Sequence, residues 1–217
     1  MLLKEKKMKL TIFGATGGTG KQLIEQAIAA GNKVVAYVRN PSKLITINKL
    51  LTVIQGELSD YAAIENAING ADAVISVLGP RGSSKGKPIT RGIQNILDAM
   101  KKYGVRRFIL SLPMSASDPN DSFDFKFKFL VTLVKLVKHA GYKDIINIAE
   151  VVRKSECDWT IVRVPLPNNK PKLGSVKVGY LGKGVIGINL SRSDLAEFML
   201  KQVQDTKYLH QAPAISN

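Results

Sequence analysis

The stretch KLTIFGATGGTGKQLIEQAIAAG, residues 9–31, decides how this chain is read. KLTIF (9–13) is a short apolar run rich in β-formers. Glycines then recur at every third position: Gly14, Gly17 and Gly20. Behind them Leu23, Ile24, Ala27 and Ile28 fall at helical spacing, and Gly31 suits the left-handed residue that ends a helix. A strand, a glycine loop and a helix in direct succession leave the free N–H groups of the first helical turn at the carboxyl end of the strand. Those donors and the helix dipole favour an anion there. In such a βαβ unit Gly14 permits the tight turn, Gly17 lets backbone approach a pyrophosphate, and Gly20 lets the helix pack close to the sheet. Thr16, Gly18 and Thr19 complete the loop and belong to the same candidate site.

The pattern continues outward. KVVAYV (33–38), LTVIQG (51–56), DAVISVLG (72–79), VRRFILSL (105–112) and WTIVRV (159–164) read as further strands. Between them lie a short helix begun by Pro41 and Ser42, a helix over YAAIENAING capped by Ser59 or Asp60, and the amphipathic ITRGIQNILDAMKKYG. FLVTLVKLVKHAG and KDIINIAEVVRKSE read as two helices broken at Gly141. SDLAEFMLKQV (193–203) reads as a last helix with Ser193 as N-cap and Glu197 near the reciprocal position. SFDFKFKF alternates Phe with charge and fits a strand or an aromatic-faced loop, while 168–187 reads as loop and hairpin. Alternating strands and helices predict an α/β fold: a doubly wound parallel sheet in three α/β/α layers. With no repeat or internal linker, one domain is expected over 1–217, with a small substrate or lid region at about 113–128 and 165–190.

Composition narrows the function. The chain has 217 residues, long enough for a sizeable core. Its single cysteine, Cys157, rules out an intrachain disulfide and fits a reducing, cytoplasmic setting. His139 and His210 lie far apart, and no Cys/His/carboxylate cluster has metal-ligand spacing, so no metal is expected. No apolar run is long enough to span a membrane, and MLLKEKKMKL lacks the apolar region of a secretory signal. Lysine and arginine exceed aspartate and glutamate by 32 − 17 = 15, which favours anionic ligands. The basic clusters at 4–9, 81–91 and 101–107 match no RNA- or DNA-binding module, so nucleic acid is not the expected partner.

The end of the second strand selects among dinucleotides. A site for NAD carries an acid there for the ribose 2′-hydroxyl. Here the segment is YVRNPSK, with Arg39 in that place and Ser42 close behind. A guanidinium grips a 2′-phosphate that an acid would repel, so NADP(H), with NADPH over NADH, is the expected cofactor. By position along the carboxyl edge of the sheet, Glu57 and Leu58 should flank the adenine. Leu78, Gly79 and Pro80 should run under the ribose and pyrophosphate, and Ser111, Leu112, Pro113, Val164 and Pro165 should surround the nicotinamide.

GATGGTG, VRNPSK, GELSD (56–60), DAVISVLG, DAMKKYGVRRFIL, SECDWTIVRVP and the tail SRSDLAEFMLKQVQDTKYLHQAP together resemble the atypical short-chain dehydrogenase/reductases, over nearly the whole chain. The nearest branches are the NmrA-like proteins and the biliverdin reductase B/flavin reductase group. The resemblance implies a Rossmann-type sheet, NADPH as hydride donor, and a permissive site for a planar, conjugated acceptor such as a flavin, tetrapyrrole or quinone. Two departures stand out. The family's Tyr-x-x-x-Lys becomes Tyr142 with Ile146 in the lysine place, and Lys143 lies about 100° round the helix. The two serines expected after the fifth strand become Leu112 and Pro113, leaving Ser111 one place early. Ser111 and Tyr142 remain the candidate catalytic residues. The competing reading is a non-catalytic NADP(H)-binding sensor, meeting a protein partner through the Phe-rich run 123–129 and the following helix.

Overall fold

The structure, a computed structural model, describes residues 7–79, 88–122 and 139–217. Its strands are β1 (Lys9–Phe13), β2 (Lys33–Val38), β3 (Leu51–Gln55), β4 (Ala73–Ser76), β5 (Arg107–Pro113), β6 (Asp158–Val164), β7 (Lys177–Gly179) and β8 (Ala214–Ser216). Its helices are α1 (Gly18–Ala29), α2 (Tyr61–Ile68), α3 (Pro88–Lys102), α4 (His139–Arg153) and α5 (Arg192–Lys201). The strands form one sheet in the order β3-β2-β1-β4-β5-β6-β8-β7. Every pairing is parallel except β7 with β8. The order reverses between β1 and β4, and that switch point opens the crevice in which ligands of such sheets bind.

Strand alternation divides the core into two layers. Leu10 and Ile12 of β1, Val34 and Ala36 of β2, and Ile109 of β5 join Leu23, Ile24, Leu195 and Met199 under α1 and α5. Phe13, Val35, Phe108, Leu110 and Leu112 face the other way, onto Ile64, Ile93, Ile96, Ile145 and Ile148 of α2, α3 and α4. This is the three-layer Rossmann-type arrangement expected from the alternating runs.

Local chemistry sets the helix ends. Gly31 at φ +80° ends α1, with its N–H on the Ile28 carbonyl and the Asn32 N–H on that of Ala27. Asp60 caps α2 by accepting from the Ala63 N–H at 3.0 Å. The cap of α5 is Ser191 rather than Ser193. The Ser191 hydroxyl accepts from the Asp194 N–H at 3.0 Å and donates to the Asp194 carboxylate at 2.6 Å. That carboxylate also receives the Leu173 and Gly174 N–H groups and the Asn217 amide. Glu197, the expected reciprocal acid, pairs with Lys172 and Lys201 instead.

Two further expectations change. α4 runs unbroken through Gly141. The stretch 168–187 forms no hairpin of its own: β7 pairs antiparallel with β8, which follows the last helix. The Phe-rich run 123–129 and most of FLVTLVKLVKHAG lie outside the described residues.

A buried ion pair ties this end of the sheet together. Arg163 of β6 is fully buried. It forks onto Asp121 at 2.6 and 2.7 Å and donates to the carbonyls of Ala212 (2.7 Å) and Ala116 (3.2 Å). Burial pushes the Asp121 carboxyl up. The Arg163 guanidinium and the N–H groups of Asp118 and Leu181 outweigh it and hold the pKa below the ordinary carboxylate value. Arg163→Met strands Asp121 and removes these cross-links, so a loss of about 3 kcal/mol is expected in denaturant melts. In the native protein the contribution of Asp121 is complete above the unfolded carboxylate pKa. It is lost as pH falls through the lowered folded value, which acid titration of the melts reads directly.

Candidate functional site

The glycine loop has the geometry its spacing predicts. Gly14 sits at φ +82°, where a Cβ would fall 3.0 Å from the Val77 carbonyl group of the neighbouring strand end. A Cβ on Gly20 would lie 2.3 Å from the Gly14 oxygen and 2.7 Å from the Ala15 Cα. Both neighbours are backbone, so neither can move aside cheaply. The Gly17 N–H donates to the Gly14 carbonyl at 3.0 Å and closes the turn. No acidic residue occupies the first turn of α1, which leaves its N–H groups to an anion from outside the helix.

Beside this loop a cleft of about 760 Å³ runs over the switch point. Gly14, Thr16 and Gly17 line it, with Arg39 from the end of β2, Glu57 and Leu58 from the end of β3, and Leu78 and Gly79 from the end of β4. These residues come together as the sequence predicts. A glycine-floored slot that side chains would fill, with an arginine at its far end, fits a phosphorylated dinucleotide. Ser42 stands outside the lining, and its hydroxyl donates to Asn40 Oδ1 at 2.7 Å. Gly18 and Thr19 also lie outside the lining, and Pro80 falls outside the described residues.

Sequence reasoning missed the wall opposite the sheet. Arg91, Gln94 and Asn95 of α3 line the cleft, and Arg91 adds a second exposed guanidinium to the lining that also holds Arg39. The helix comes this close because Gly92 has no side chain: a Cβ there would meet Leu58 side-chain atoms at 2.8 Å. Asn95 then donates to the Leu58 carbonyl at 2.8 Å. A glycine inside an otherwise amphipathic helix was the available signal. Tyr37 latches β2 to β3 in the same way. Its hydroxyl donates to the Glu57 carbonyl at 2.7 Å, through the space that a Cβ on Gly56 would fill. Burial, then the charges of Asp60 and Glu57, push Tyr37 up to about 12, so it stays a donor across the physiological range.

The residues predicted around the nicotinamide do not form one face. Leu112 and Val164 are core side chains, in opposite layers, and none of Ser111, Leu112, Pro113, Val164 and Pro165 lines the cleft. Ser111 shares the parity of Ile109 and points to the α1/α5 side, whereas α4, which carries Tyr142, packs on the Leu110 and Leu112 side. Tyr142 is half-buried in the first described turn of α4, with exposed Lys143 beside it and Ile146 one turn on. Cys157 is buried beside a separate cavity at the opposite end of the sheet, and burial pushes its thiol up, as for an inert core cysteine. Among the described residues no group of His, Cys, Asp or Glu could hold a metal, and no helix is long and apolar enough to cross a membrane.

Gly20→Ala is expected to abolish dinucleotide binding in calorimetric titration and to lower the melting temperature, because two stretches of backbone must separate. Gly79→Ala serves as the contrast: a Cβ there meets nothing within 4 Å, so the fold should be unchanged.

Comparison with known proteins agrees with this geometry. An uncharacterised chloroplastic protein of Arabidopsis thaliana is 29% identical over 220 residues, covering 93% of this chain and 75% of that protein. A probable pinoresinol-lariciresinol reductase of the same plant is 25% identical over 222 residues, covering 98% of this chain and 69% of its own. Among solved structures, a short-chain dehydrogenase/reductase of Veillonella parvula in complex with NADP superposes with a TM-score of 0.80 at 18% identity, covering 98% of this chain and 95% of that one. An anaerobilin reductase of Escherichia coli O157:H7 superposes at 0.78 with 19% identity, covering 96% of each chain. The NAD(P)H-binding family matches residues 14–206. A strand, a backbone-tight glycine turn, a helix and a switch-point cleft are thus joined by a match over most of the sequence, and the chain belongs to the NAD(P)H-binding family.

Proposed function

We propose that this protein is an NADPH-dependent reductase that passes hydride to a planar, conjugated acceptor of the flavin, tetrapyrrole or quinone class. The observation that carries the reading is the composition of the cleft. Its phosphate end is backbone, Arg39 stands at its adenosine end, and its lining adds Arg91, with Glu57 the acid in that lining. Glu57 follows β3, and Arg39 follows β2, where a dinucleotide site selective for a free 2′-hydroxyl would carry its acid. The NADP held by the Veillonella neighbour and the reductase names of the two relatives described above support the same reading. The domain reads as a single Rossmann unit, with the described part of the first lid segment, 113–122, and the segment 165–190 as the parts that would border the acceptor.

The bound cofactor supplies the hydride, and the protein's own part is to hold and orient it. A flavin or tetrapyrrole can take its proton from water once the nicotinamide is placed, so the reaction tolerates Ile146 where a lysine would tune Tyr142. A second reading, an NADP(H)-binding sensor without turnover, draws on Ile146 and on Ser111 facing away from α4.

NADPH oxidation by the purified protein, followed against FMN, biliverdin and a small quinone, separates the two readings. The reductase predicts acceptor-dependent turnover; tight NADPH binding without turnover moves the assignment to the sensor. Arg39→Ala should weaken NADPH about 10- to 100-fold through loss of charge-assisted hydrogen bonds, and leave NADH nearly unaffected. Equal weakening of both cofactors would remove Arg39 from the 2′-phosphate.

A further inference from the structure

Arg192 is a half-buried cation set among positive helix ends. It is the first residue of α5, at the positive end of that helix dipole. Its side chain reaches across to the positive end of a second helix. A Cβ on Gly18, in the first turn of α1, would fall 2.6 Å from Arg192 Cδ and 2.7 Å from its Nε. Gly18 therefore lacks a side chain at the point where the guanidinium stem lies over the glycine loop.

Nothing described neutralises this charge. The polar partner of Arg192 is neutral: Nη1 donates to Asn169 Oδ1 at 2.5 Å. Among the described residues no carboxylate stands within ion-pair distance of it. Asp194, in the same turn of α5, is 1% exposed and engaged by Ser191, Leu173, Gly174 and Asn217. The first turn of α1 contributes no acid. Two helix N-termini and a half-buried guanidinium thus meet with no described carboxylate between them, beside a loop shaped for phosphate.

The approach of Arg192 also fixes which end of the ligand it would meet. Its backbone N–H donates to the Asn168 carbonyl at 2.9 Å, and Asn169 holds its guanidinium. Both asparagines belong to the segment that leaves β6, on the far side of the glycine loop from Arg39 and the adenosine end of the cleft. We infer that Arg192 is a diphosphate-binding residue, clamping the cofactor's pyrophosphate from the nicotinamide side while Asn168 and Asn169 hold the arginine in place. The inference rests on the dinucleotide reading of the glycine loop. It differs from the role of Arg39 in being blind to the 2′-phosphate.

The test is calorimetric titration of NADPH, NADH and 2′-AMP into the wild type, Arg192→Gln and Arg192→Lys. NADPH and NADH share the diphosphate, and 2′-AMP lacks it. Arg192→Gln should weaken both dinucleotides about tenfold, leave 2′-AMP unchanged, and be partly rescued by Arg192→Lys. Unchanged dinucleotide affinity in Arg192→Gln, or equal weakening of 2′-AMP, would overturn the assignment. Gly18→Ala gives a second route that keeps the charge, because the new Cβ displaces the arginine stem. Its effect on NADH affinity should disappear in the Arg192→Gln background, and full additivity of the two substitutions would count against the contact. A wild type that binds neither NADPH nor NADH would instead sink the dinucleotide reading, before Arg192 is tested.

Discussion

The cofactor cleft depends on one backbone-on-backbone contact. The first turn of α1 lies so close to the end of β1 that the Gly14 oxygen stands 2.3 Å from the point where Gly20 would carry a Cβ. With α1 seated there, its N-terminal N–H groups aim over the sheet edge at the reversal of strand order, and the Gly14 turn at φ +82° can lie against Val77. The remaining walls are positioned relative to that seat. β2 and β3 are latched by the Tyr37 hydroxyl, and α3 is drawn in over Gly92 until Asn95 meets the Leu58 carbonyl. Three missing side chains, at Gly20, Gly56 and Gly92, set the width of the slot from three directions.

What could be read beforehand was whatever local spacing determines. β1 to β6 announce themselves as apolar runs, and their alternation assigns Leu10 and Phe13 to opposite layers. Gly31 and Asp60 end and begin helices by rules that act within a few residues. Failures cluster where a distant partner decides. β7 and β8 are three residues each, too short for periodicity; β7 is defined by β8 across the last helix, and β8 by both β7 and β6. Ser191 and Ser193 both precede the apolar stripe of α5. The cap falls to Ser191 because Asp194 is held in place from Leu173, Gly174 and Asn217. A break at Gly141 was reasonable from propensity alone, but Ile145, Ile148 and Val152 beyond it pack into the core and carry the helix through.

The site divides along the same line. The cleft lining along the sheet edge is built from a contiguous motif and from strand termini, both visible in one dimension. The arginines that come from α3 and α5, Arg91 and Arg192, carry no motif, and only packing brings the first to the cleft and the second over Gly18. The residues expected around the nicotinamide depend on register, and register is unforgiving in a sheet: a shift of one residue turns Ser111 toward α1 and α5 and away from α4.

The buried fork of Arg163 has a consequence for how the molecule is made. Its guanidinium lies in β6, yet one of its acceptors is the Ala212 carbonyl, 49 residues later in the chain. β8, which lies between β6 and β7, also comes from those last residues. On a ribosome, strands β1 to β6 emerge and can pair while this charge still lacks a protein acceptor on that side, so water must serve it. Completion of the sheet thus has to follow the pairing of β1 to β6. Until it occurs, the flank formed by β6 remains an open, hydrated edge, which a nascent chain must keep from pairing with its neighbours.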